Sequence, residues 1–149
     1  MIVSFFGHSE MSIDQSLKER LTEVIEDCIK KGADTFYCGH YGDFDCACAR
    51  VVKELKSKYP NITSIFITPY IIEGYKERNE WVMESKLYDG SIYPELESVP
   101  LRFAISKRNE WMVEQSDIVI AYVSHGWGGS ATALRYAKRK KKTIINLAE

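Results

Sequence analysis

Short, bulky apolar runs alternate with amphipathic stretches along the chain. Residues 2–6 read IVSFF, 35–38 TFYC, 64–68 SIFIT, 117–123 DIVIAYV and 143–147 TIINL. Runs this short and this apolar suit strands covered on both faces. A stretch of helical period lies between each consecutive pair. The first carries Leu17, Leu21, Val24, Ile25 and Cys28 on one stripe, opens with a capping-box pattern over residues 12–15, and ends at Gly32. The second spans 44–58 with Val51, Val52 and Leu55 inward, the third 101–115, and the fourth 131–140.

Strand–helix alternation predicts a parallel sheet with right-handed crossovers and helices on both faces. The expected architecture is an α/β, Rossmann-like three-layer sandwich of about five strands in the order 3-2-1-4-5. Strands one and four are then neighbours, and ligands of such sheets bind beyond the strand carboxyl ends where the order reverses. One interval breaks the pattern. Residues 69–100 mix aromatics, charges, prolines and glycines, with one short helix expected around residues 78–86. The chain reads as one domain, 1–149, with this stretch as an irregular insert of the kind that serves as a lid, binding loop or oligomer contact.

Composition removes several classes of function. The formal charge of −1 over 149 residues argues against a nucleic-acid partner, because duplex binders carry a basic stripe. The basic run at 138–142 lies in the last turn of a helix, where cations complement the dipole. No run approaches the length of a membrane span, and the first ten residues read as a strand rather than a leader, so a cytoplasmic location and no membrane contact are expected. The four cysteines, at 28, 38, 46 and 48, lack paired C-x2-4-C spacing. They read as free thiols, and no metal or cofactor is expected.

The chemistry-bearing residues gather at the predicted carboxyl edge. Strand one is followed by Gly7 and His8. Strand two is followed by Gly39, His40, Gly42 and Asp43, and strand four by Ser124, His125, Gly126, Gly128, Gly129 and Ser130. All three histidines of the chain follow a strand and adjoin a glycine. A helix starting near Gly129 and Ser130 presents unpaired amide N–H groups and the positive end of its dipole, and glycines let an anion reach them. Arg108, on the helix that enters strand four, is placed to pair with a phosphate. The loop is neither a P-loop nor a dinucleotide fingerprint. Trp81, Trp111 and Trp127 read as core or interface aromatics, with Trp127 also able to stack on a base.

The motifs FFGHS, GDFD, RFAISKRNEWM and SDIVIAYVSHGWGGSA resemble the SLOG superfamily, which contains the Smf/DprA and Lonely Guy proteins, and within it the small bacterial members. The resemblance implies a Rossmann-like nucleotide-binding fold and a homo-oligomer. Lonely Guy proteins are phosphoribohydrolases with the pattern R-K-x-x-M, then S-D, then P-G-G-x-G-T-x-x-E. Here Arg108 and Met112 match the arginine and methionine, Asn109 replaces the lysine, and Gly129 and Ser130 fall on the phosphate loop. The glutamate falls on Ala133, and no acid lies anywhere in 126–142. The expected function is therefore binding of a nucleotide-type phosphate ligand without that glycosidase chemistry. The alternative is a nucleoside-monophosphate N-glycosidase using a displaced carboxylate. Asp43, Asp45 and Glu110 are the available acids, and the catalytic candidates are Asp43, His8 and Arg108, with His40 as a second acid–base partner.

Overall fold

A computed structural model describes residues 1–70 and 73–149; residues 71 and 72, inside the predicted insert, lie outside the described residues. Six parallel strands form one sheet. In chain order they are β1 (Ile2–Gly7), β2 (Thr35–Cys38), β3 (Thr63–Ile67), β4 (Gly90–Ile92), β5 (Ile118–Tyr122) and β6 (Thr143–Asn146). The helices are α1 (Gln15–Lys30), α2 (Asp43–Leu55), α3 (Glu73–Glu84), α4 (Ala104–Gln115) and α5 (Gly129–Arg139), with a 3-10 turn at Leu101–Phe103 before α4.

The spatial order is β4-β3-β2-β1-β5-β6. The expected five-strand order is present intact, and β4 is added at one edge. Here the expectation of five strands is corrected, because β4 comes from the interval read as irregular. It holds a single large apolar residue, so it has no periodicity to detect. Asp89 fastens it instead: its backbone N–H donates to Ser64 O (2.8 Å), its carboxylate accepts from Ser64 N (2.8 Å), and it pairs with Lys56. The helix in that interval, α3, starts five residues before its predicted position.

Alternating strand residues divide the core between two faces. Val3, Phe5, Phe36 and Phe66 pack with Leu21 and Ile25 of α1, with Phe44, Val51 and Val52 of α2, and with Val82 of α3. Phe6, Tyr37, Ile67 and Val119 pack with Met112 and Val113 of α4 and with Ala133 and Ala137 of α5. Burial of each large side chain contributes about 1.5–3 kcal/mol, so both helix layers are firmly seated. The α1 stripe falls where its spacing places it, but the cap differs from the capping box expected at 12–15. Asp14 is the N-cap, its carboxylate accepting from Leu17 N at 2.8 Å, and Ser12 lies outside the helix. Among the described residues no helix is long and apolar enough to cross a membrane.

Candidate functional site

β2 and β5 flank β1, so the loops after these three strands meet at one edge of the sheet. They enclose a cleft of about 320 Å³, lined by Gly7, His8, Gly39, Asp45, Ile105, Arg108, Asn109, His125, Trp127, Gly128, Gly129 and Ser130, among others.

Its wall on the β5 side is the amino end of α5. Gly128 is the N-cap, with φ +93° and no side-chain cap. A Cβ on Gly126, Gly128 or Gly129 would meet nothing within 4 Å, so these glycines face open space. Thr132 N–H closes the first helical bond onto Gly128 O (3.1 Å). The amides of Gly129, Ser130 and Ala131 have no partner among the described residues. The loop is braced from outside the cleft, where Arg135 Nη1 donates to Gly126 O at 2.8 Å.

Beside this end stands a stack of three rings. His8 and His125 lie 4.0 Å apart between centroids with planes 15° apart, and Trp127 continues the stack on His125 at 3.8 Å and 12°. The amide of Ser124 donates to His8 Nε2 at 2.9 Å, so Nε2 is unprotonated and the ring proton sits on Nδ1. That nitrogen lies 3.4 Å from Ser130 Oγ. Desolvation first, and the neighbouring His125 second, hold the His8 pKa below its usual value. His125 Nδ1 is buried without a hydrogen-bond partner. Trp127 is 72% exposed, so it is not a core residue of this chain.

Across the cleft lies Arg108, which is 2% exposed. Its Nη1 donates to the carbonyls of Ile67 (2.8 Å) and Gly39 (3.3 Å), and its Nε to Asn109 Oδ1 (2.9 Å). These bonds tie α4 to the ends of β2 and β3. Burial lowers its pKa to about 10, partly offset by the charge of Asp45, so the guanidinium is cationic at neutral pH. Asp45 is also buried, in the first turn of α2, and Oδ2 accepts from Tyr41 N at 2.8 Å. Desolvation pushes its pKa up to about 7, opposed by the Tyr41 hydrogen bond and by Arg108.

The cleft thus unites Gly7, His8, Gly39, Arg108, His125, Gly128, Gly129 and Ser130. Six other sequence candidates do not line it. His40 is turned the other way, with Nδ1 2.6 Å from Tyr88 OH, and burial followed by Arg78 and Arg50 lowers its pKa. Gly42 (φ +105°) lets the loop after β2 press on Ser9, with which a Cβ would overlap. Asp43 is exposed, follows the N-cap Gly42 and accepts from Met11 N at 2.9 Å. Ser124 N donates to His8 Nε2, and Gly126 O accepts from Arg135. Glu110 pairs with Lys107 at 3.0 Å. Asp45 is the buried acid in the cleft, which the exposed Glu10 also lines, although the sequence favours Asp43. Helical phase was the available signal: two residues further on, the side chain points nearly the opposite way.

This arrangement defines a Rossmann-like α/β protein with a cleft at the switch point of its sheet. Its fold is similar to that of solved SLOG-type proteins, in keeping with the resemblance its motifs carry. No family model matches the sequence. The chain is 29% identical over 143 residues to the uncharacterized SPbeta prophage-derived protein YoqJ of Bacillus subtilis, covering 83% of this chain and 81% of that one. Among solved structures it is similar to DNA processing protein A (DprA) of Helicobacter pylori, with a TM-score of 0.67 and 19% identity over all of this chain and 67% of the other. DprA of Streptococcus pneumoniae gives 0.64 and 14%, with 95% of this chain matched to 48% of that protein, so the chain spans about half its length.

The comparison corrects one expectation. The H. pylori protein is described by its single-stranded DNA binding mode, so the charge argument against a nucleic-acid partner does not stand for this fold. Net charge averages over the whole surface. A single strand needs only a local basic groove and exposed rings on which bases stack.

Proposed function

We propose that the cleft binds a nucleotide or nucleotide-derived phosphate compound, with the phosphate on the amino end of α5. The observation that carries this reading is the uncapped first turn of α5, open to the cleft and faced by the buried cation Arg108. Free amides, a helix dipole and a guanidinium together favour an anion. Trp127 supplies a surface on which a base stacks. Glycosidase chemistry of the Lonely Guy type lacks its acid here, since Ala133 stands in the glutamate's place and packs against the sheet.

Calorimetric titration with mono-, di- and cyclic nucleotides and ADP-ribose tests this reading. Binding that weakens about tenfold in Trp127→Ala, without loss of folding, is expected. No binding at millimolar ligand defeats the reading.

A second reading, hydrolysis of the N-glycosidic bond of a nucleoside 5′-monophosphate, is favoured by one observation: Asp45 puts a carboxyl group with a pKa near neutrality in the same cleft. It requires free base to accumulate during long incubation and to vanish with Asp45→Asn. Chromatography without free base leaves binding alone.

A further inference from the structure

The Asp45 carboxyl is held in the cleft by the packing beneath it. Gly7 has no Cβ, and one placed there would overlap the Phe44 ring. Phe44 therefore seats directly on the end of β1, fully buried, and fixes the first turn of α2 against the sheet. The next residue, Asp45, is carried over the cleft floor as a lining group.

Its two oxygens are served unequally. Oδ2 accepts from Tyr41 N, whereas Oδ1 has no hydrogen-bond partner among the described residues. A carboxylate removed from bulk water normally accepts several hydrogen bonds, and leaving one oxygen without a partner is costly. Oδ1 is not one of the buried atoms without a partner, a condition met only by His125 Nδ1 among the described residues. It therefore still reaches the open volume of the cleft, where a ligand can supply the missing donors.

The position of that oxygen selects the donor. Asp45 follows β2 and the phosphate seat follows β5, with β1 between them. Neighbouring strands are about 4.8 Å apart, so the strand ends from which the two groups spring stand about 10 Å apart. A pentose 5-phosphate, with one hydrogen bond at each end, has about that reach. The group facing Asp45 is then the sugar, while an exocyclic base amine would lie beyond it. A metal ion is a poorer candidate, because no group of three His, Cys, Asp or Glu residues suited to a metal occurs among the described residues.

We infer that Asp45 receives the vicinal hydroxyls of a ribose, so that the cleft selects ribo- over 2-deoxyribo-phosphates. The inference rests on the phosphate seat proposed above and holds whether or not the ligand is cleaved. It gives the buried acid a role in choosing the ligand, separate from the residues that attract its phosphate.

The test is calorimetric titration of the intact chain with ribose 5-phosphate, 2-deoxyribose 5-phosphate and inorganic phosphate. The wild type is expected to bind the ribose compound about tenfold more tightly than the deoxy compound. Asp45→Asn is expected to reduce this ratio to near one. The wild-type ratio needs no variant, so poor folding of Asp45→Asn would not spoil the test. Equal affinity of the wild type for both pentose phosphates would overturn the inference and leave the phosphate seat standing. Failure of all three probes to bind would overturn the seat and this inference together.

Discussion

The guanidinium of Arg108 packs on Gly39: a Cβ at that glycine would stand 2.8 Å from Arg108 Cζ, and Nη1 donates to the Gly39 carbonyl at 3.3 Å. The glycine at the end of β2 thus makes room for the cation that faces the α5 terminus. Gly39→Ala is expected to push the guanidinium off its carbonyl partners. Urea titration should show a loss of about 1–3 kcal/mol, and phosphate-ligand affinity should fall about tenfold in calorimetry.

Gly42 and Gly126 lie in loops at the same edge and should respond differently to one substitution. Gly42 has φ +105°, and a Cβ there overlaps the Ser9 backbone. Gly42→Ala should therefore destabilise by about 2 kcal/mol or more. Gly126 has open space around it, and Gly126→Ala should change the unfolding free energy from urea titration by less than about 0.5 kcal/mol. Equal responses would contradict the close seating of the loop on Ser9.

Asp45 makes stability depend on pH. Its carboxyl rises from 3.8 in the unfolded chain to about 7 in the fold, so the folded state holds the proton longer. The stabilisation is fully present below pH 3.8 and is lost as pH climbs through 7. Asp45→Asn removes this dependence. Its urea midpoint relative to wild type should rise between pH 4 and pH 8; a constant difference would show that the carboxyl titrates normally.

His8 acts in the opposite direction. Its pKa is depressed, first by burial and then by His125, so the fold prefers the neutral ring that accepts from Ser124 N. This contribution is complete above pH 6.5 and is lost as pH falls through the lower, folded-state pKa. His8→Asn should therefore lose less stability than wild type between pH 7 and pH 5. Chemical-shift titration of the ring protons should place the His8 midpoint below 6.5.

The sheet was readable because parallel strands buried on both faces must be apolar and must alternate with helices. Five of the six strands carry that signature, and their order follows from simple crossover rules. β4 does not, because an edge strand of three residues is held by Asp89 and not by apolar pairing. At the site, loop position was legible and side-chain direction was not. Gly7, His8, Gly39, Arg108 and the α5 terminus converge as strand ends must. His40 follows β2 just as His8 follows β1, yet φ +50° at His40 directs it to Tyr88. Trp127 stacks on His125 two residues before it and stays exposed, a side-chain direction that residue type alone does not give.

The small strand from the irregular interval also bears on how this protein behaves when crowded. Without Gly90–Ile92 the longer β3 would become the sheet border, offering a row of bare amides and carbonyls for another chain to extend. A three-residue border followed closely by Pro94 is a poor template for such growth. The segment that breaks the regular pattern therefore limits edge-to-edge aggregation.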